Sequence, residues 1–196
     1  MSLTEWESGL VRLDKNSQGI LAEASRIARA EGAEAVTTAH LLLVLVEAVG
    51  RPHWLGFYPD DSAQLAERAR ELLTEVGIDA SGVRPLLTRP WARESPRGDA
   101  LDADLPGPEH EALPWSRYLP KVVAEARREA NADGSFRAAP FHLLVAVTAP
   151  HWATAASKII EELVDDPPED QRWLHARLAR LTTGRAPAPA SARGGV

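Results

Sequence analysis

The sequence predicts an all-α protein, about eight helices in two pseudo-symmetric halves packed as one bundle. Three observations carry that prediction. Residues 20–45, ILAEASRIARAEGAEAVTTAHLLLVL, return without a gap at 122–147, VVAEARREANADGSFRAAPFHLLVAV, with ten identities in 26 positions at a constant offset of 102. Glu23/Glu125, Gly32/Gly134, His40/His142 and Leu42/Leu144 are among the matched pairs. A repeat of this length marks a duplicated supersecondary unit and sets the architecture before any single element is considered. Apolar residues then recur at helical rather than strand spacing. Finally, Gly and Pro fall where the helical runs end, the punctuation expected of helix stops.

Residues 1–15 read as an N-terminal segment, with Trp6 and Leu10 on a short helix. The first repeat spans 16–88. Asn16 or Ser17 caps a helix to about Glu31, since Ile20, Leu21, Ala24, Ile27 and Ala28 share one face of a 3.6-residue period. Gly32 stops it. Thr37 or Thr38 caps a second helix over about 39–49, because a side-chain oxygen can accept from the first free amides. Its run Leu41–Val46 is apolar all round, so this helix should be buried on every side as a central post. Gly50 and Pro52 end it. The connection HWLGFYPDD at 53–61 is too irregular for a helix. Asp61 or Ser62 caps a third helix to about Val76, Gly77 closes it, and Asp79–Leu87 holds a short fourth.

Residues 89–114, rich in Pro, Gly and acid, read as a linker. The second repeat spans 115–182. Leu119, Val122, Val123, Ala126 and Ala130 restate the first helical face, Gly134 stops it, and Pro140 suits the first turn of a second buried post at Phe141–Thr148. Thr154–Val164 is amphipathic, Asp165-Asp166-Pro167-Pro168 breaks it, and Glu169–Leu181 makes a last helix. Residues 183–196 read as a disordered tail. No strand signal competes with these helices.

Composition narrows the function classes. The chain has 196 residues, 44% of them hydrophobic, enough for one core or two small units sharing one. A net charge of −6 argues against non-specific nucleic-acid binding. With no cysteine there is neither a disulfide framework nor a thiolate metal site. The N-terminus MSLTEWESGL lacks the basic and apolar regions of a signal peptide, and Leu41–Val46 is far too short to span a bilayer. A cytoplasmic protein is expected, with no cofactor, no metal, and neither nucleic acid nor membrane as partner.

The segments LAEASRIARAEG then TAHLLL at 38–43, and VAEARREANADG then PFHLLV at 140–145, carry a resemblance. They are similar to the Clp N-terminal domain, the double-repeat module at the front of ClpA, ClpC and ClpB unfoldases. Its signature is an Ala- and Glu-rich helix, a Gly, a short link, then Thr-Glu-His-Leu-Leu opening a buried helix. The resemblance covers about 13–88 and 115–182. It implies a recognition module that docks adaptors and substrates and is bound by some natural antibiotics. It also implies a Clp unfoldase or protease as a candidate partner. No G-x-x-x-x-G-K-[ST] occurs to cradle a phosphate, so the expectation is a free-standing module without ATPase domains. In ClpC-type domains the Glu before the motif His and a Thr opening each repeat help to bind phosphoarginine. Here Ala39 and Phe141 hold the Glu positions, and Asp14 and Ser116 the Thr positions. A guanidinium needs a carboxylate partner for paired hydrogen bonds, so that recognition does not carry over.

Candidate site residues follow from the histidines and the aromatics. His40 and His142 open the two buried helices. They serve either as acid–base or ligand groups or as structural residues bonding the preceding loop. Pro52-His53-Trp54 and Pro150-His151-Trp152 follow those helices, as helix stops with a core tryptophan or as aromatic clamps beside a groove. Four histidines in related pairs suggest a metal only weakly, since no H-x-x-x-H or H-E-x-x-H accompanies them. Of six tryptophans, Trp91 lies outside every periodic face. His53, Trp54, Phe57, Tyr58 and Trp91, with His151 and Trp152 as their echo, form the expected binding surface, because large apolar groups surplus to a core mark contacts.

The leading expectation is a non-enzymatic module binding a peptide, a protein partner or a peptide-like small molecule, as adaptor, decoy or modulator of a Clp protease. The alternative is a small cofactor-free enzyme with His53, His151, His40 or His142 as acid or base in an aromatic pocket.

Overall fold

The structure, a computed structural model, describes residues 11–49, 61–96 and 113–183. The described chain is mostly helical: α1 (Lys15–Ala30), α2 (Thr38–Val49), α3 (Asp61–Glu75), α4 (Ala80–Leu86), α5 (Leu119–Ala132), α6 (Pro140–Val147), α7 (Ala155–Leu163) and α8 (Pro167–Thr183). A 3-10 turn at Pro90–Ala92 lies between α4 and α5. The all-α expectation holds at this level.

Local chemistry sets the ends of these helices. Asp14, rather than Asn16 or Ser17, caps α1 by accepting the Ser17 amide at 2.6 Å. The stop after α1 is a Schellman turn. Gly32 takes φ +69°, its amide reaches Arg29 O and the Ala33 amide reaches Ala28 O. The copy after α5 is the same, with Gly134 at φ +79°, its amide on Asn131 O and the Ser135 amide on Ala130 O. Any residue with a Cβ would be strained at either position. Asp79 caps α4 and Thr154 caps α7. The break expected at 165–168 ends α7 at Leu163, and α8 starts at Pro167 rather than Glu169, with both prolines in its first turn, where a missing amide hydrogen is no loss.

The core is continuous across both halves. In α2 every residue but Glu47 is buried, and all of α6 is buried, as their apolar sequences require. α2 packs on α1, α3, α4, α6 and α7, so it is the post on which the rest leans. Leu41, Leu42, Leu43 and Leu143 are fully buried.

Two short parallel strands depart from the expectation of none. β1 (Arg12–Leu13), before α1, pairs with β2 (Arg137–Ala138), in the link between α5 and α6. At an offset of 102, the bridge between Val36 and Trp115 repeats the pair Ala138–Leu13. The amide bonds repeat too: Asp14 N–H donates to Ala138 O at 3.0 Å, and Ser116 N–H to Val36 O at 2.9 Å. Each half therefore hands its opening residues to the link of the other. Two-residue strands are too short to produce a period-2 pattern, which is why no sequence signal announces them.

Of the segment 89–114, residues 89–96 and 113–114 are described, and they are held against the rest. Ala92, Glu94 and Trp115 are buried, Arg117 N–H donates to Ser95 O, and Val36 N–H donates to Pro114 O. The readings for 1–10, for 50–60, for the middle of the linker and for the tail beyond 183 lie outside the described residues.

Candidate functional site

The two motif histidines close the N-termini of the buried helices. Thr37 precedes α2, and His40 is the third helical residue. Its Nδ1 accepts the Thr37 amide at 3.1 Å, with the Thr37 hydroxyl 2.8 Å away. In α6 the same place belongs to His142, whose Nδ1 accepts the Ala139 amide at 2.9 Å. A histidine thus does the work usually given to Glu or Gln in a capping box. Because Nδ1 accepts, the ring proton sits on Nε2, which points back toward the residue ending the previous helix.

That acid differs between the halves. The Asp133 side chain is buried, its Oδ1 accepting the Ser135 amide at 2.9 Å and its Oδ2 the His142 Nε2–H at 2.9 Å. Glu31, one methylene longer, lies 3.5 Å from His40 Nε2 with its side chain a quarter exposed. Burial lowers the His40 pKa to about 4, so the ring is neutral at pH 7. Burial also raises the Glu31 pKa, opposed by the charge of Arg84.

Glu94 joins the halves from the middle of the chain. Its carboxylate accepts the Thr38 amide at 3.0 Å, the Thr38 hydroxyl at 2.6 Å and the Ala155 amide at 2.7 Å. The Thr38 hydroxyl in turn accepts the Ala156 amide at 3.1 Å. One buried carboxylate therefore serves the N-termini of α2 and α7, the positive ends of both helix dipoles.

Beside His40 lies a cavity of about 290 Å³. Its walls are the α1–α2 link, with Glu31, Gly32, Ala33, Glu34, Ala35 and Thr37, and the segment carrying Leu87, Thr88, Ala92, Arg93 and Glu94. Carboxylates, the Arg93 guanidinium and an imidazole share the lining with apolar side chains, and such a mixed wall suits a group that carries charge and hydrogen-bonds.

The residues expected to form the site divide as follows. His53, Trp54, Phe57 and Tyr58, like Trp6, lie outside the described residues. Trp91 sits on the 3-10 turn, partly buried against the core, and that turn packs on α7. Trp152 is partly buried just before α7, and the exposed His151 stands edge-on to it with ring centroids 4.8 Å apart. Trp173 is partly buried and Trp115 buried. His40 and His142 belong to different halves, each tied to its own helix end.

Four residues escaped the sequence reading. Glu31 and Asp133 were visible as a repeat pair, and their spacing of nine from the histidine was the available signal. Glu94 had none, because its partners lie 56 and 61 residues away. Phe136, in the α5–α6 link, is 95% exposed, and its repeat partner is Glu34. Among the described residues no group of three or more His, Asp or Glu is placed to hold a metal ion, and no helix is long and apolar enough to cross a membrane. No protein-family model matches the chain, and no curated protein matches it significantly.

Proposed function

We propose that this chain is a free-standing recognition module of the Clp N-domain type, binding a peptide, a protein partner or a peptide-like small molecule. The observation that carries the reading is the cavity beside His40, on one link of a duplicated scaffold whose other link closes on itself through Asp133. Reciprocal pairing of the opening segments with the opposite links supports the repeat arrangement that this reading needs. A rigid scaffold with one link left open is suited to holding a ligand, since specificity resides in loops set on fixed elements. An adaptor, a decoy or a modulator of a Clp protease in the cytoplasm fits this role.

The test is selection of a displayed random-peptide library on the immobilised protein, followed by calorimetry of the enriched sequences. A converging motif that binds in solution is expected. Enrichment no greater than on an unrelated helical protein overturns the reading.

A further inference from the structure

We propose that the cavity between the α1–α2 link and residues 87–94 is the seat of one basic side chain, arginine or lysine, of a bound peptide. The inference rests on the recognition reading and adds to it which chemistry is recognised and where.

The cavity's own groups specify both charge and polarity. Glu31 and Glu34 stand at its rim, both on the link and, among the described residues, neither bound to an Arg or Lys side chain. Glu94 also faces it, but its oxygens are taken up by Thr38 and Ala155. Arg93 is the single cationic residue among the described lining, and the charge of Arg84, which is paired with Glu47, acts on Glu31 from outside it. The two rim carboxylates thus call for a cation, and a carboxylate pair suits a guanidinium or an ammonium through charge-assisted hydrogen bonds.

A second observation comes from His40, which is only 4% exposed. Its Nδ1 is used on Thr37, which leaves the Nε2–H turned to the cavity, with Glu31 at 3.5 Å as its nearest acid. In the other half the equivalent Nε2–H is satisfied by Asp133 at 2.9 Å. A nine-tenths-buried donor that lacks a close acceptor wants one from the ligand. A peptide offers this as a backbone carbonyl beside a basic side chain, whereas a bare metal or a simple amine does not. Apolar surface from Ala33, Ala35, Leu87 and Ala92 is left for the methylene stem of that side chain. Gly32 adds open space, with nothing within 4 Å of where a Cβ would stand.

The experiment is a nuclear magnetic resonance titration of the full chain with four blocked tripeptides, carrying arginine, lysine, glutamate or alanine at the centre. Shifts are followed at the amides of Gly32, Ala33 and Thr88 and at the His40 ring. The arginine and lysine peptides are expected to bind about tenfold or more tightly than the alanine peptide, the worth of one charge-assisted hydrogen bond. That preference should vanish in Glu31→Gln/Glu34→Gln, whose melting is checked to be unchanged. Equal affinity for all four peptides overturns the proposal, as does a basic preference that survives in the double variant. If none of the four binds, the basic-side-chain proposal fails, while the recognition reading is judged separately by the library selection.

Discussion

The links 31–37 and 133–139 begin from one pattern and end as different structures. Both contain a Schellman glycine, both pass a bridge to the opening residues of the opposite half, and both enter a buried helix under a histidine cap. In the second link a short acid turns inward, meets the histidine and the Ser135 amide, and is buried. In the first, the longer acid stays at the surface and a cavity opens beside the ring. Duplication thus preserves the backbone device in both copies, while one methylene and the neighbouring segment 87–94 decide whether the polar end is closed or available. The first half then needs a further stay, supplied by Glu94, a residue that lies outside the duplicated stretch.

The largest effect is expected where the halves are most alike. Leu42 and Leu144 are repeat partners, 0% and 1% exposed. Leu→Ala at either should destabilise by about 2–5 kcal/mol in denaturant unfolding, through lost burial and the cavity left behind. Two values far apart would break the view that α2 and α6 are equivalent posts.

Acid separates the halves next. His40 has a folded pKa of about 4 against 6.5 when unfolded, so the unfolded chain binds the extra proton first as pH falls. Its contribution is complete above pH 6.5 and is lost as pH drops toward 4, by about 3 kcal/mol in all. His175, lowered by burial, acts in the same direction. Glu31, with its raised pKa, acts oppositely, regaining stability as it protonates. Gln at a capping-box position can accept the same amide without titrating. His40→Gln is therefore expected to flatten the urea midpoint between pH 6.5 and 4. An unchanged slope would show that acid acts elsewhere.

Glu94 tests whether the stay across the halves matters. Glu94→Ala leaves the Thr38 and Ala155 amides without an acceptor, and about 2 kcal/mol of stability should go with them. A variant as stable as the parent would mean water replaces the carboxylate at no loss.

These contrasts also mark what was legible in the sequence. The helices, their glycine stops and the two posts follow from periodicity and from the offset of 102, because those signals are local and doubled. Asp14 was missed as a cap because Asn16 and Ser17, residue types that cap as well as Asp, follow it within three residues, although only Asp14 precedes the first helical turn. The tryptophans are a different case. Trp91 falls on no periodic face because it belongs to a 3-10 turn, yet it packs partly on the core. The cavity depends on which side chains converge from segments far apart in the chain, and no spacing rule carries that information.

The smallest effect bears most directly on the comparison. Asp133→Asn keeps the shape of the side chain but has one oxygen where two were used, so either the Ser135 amide or the His142 Nε2–H loses its acceptor. Leaving such a buried donor unpaired costs about 1–3 kcal/mol. Glu31→Gln removes a charge from a part-exposed side chain that makes no close hydrogen bond to His40, and a change within about 0.5 kcal/mol is expected. Urea unfolding at pH 7 of the two single variants and the double variant distinguishes the cases. Unequal single effects that add in the double support one closed and one open link, since sites in separate halves without shared partners should not couple. Equal losses would mean that Glu31 holds His40 as firmly as Asp133 holds His142, and the first link would then have no free carboxylate to offer a ligand.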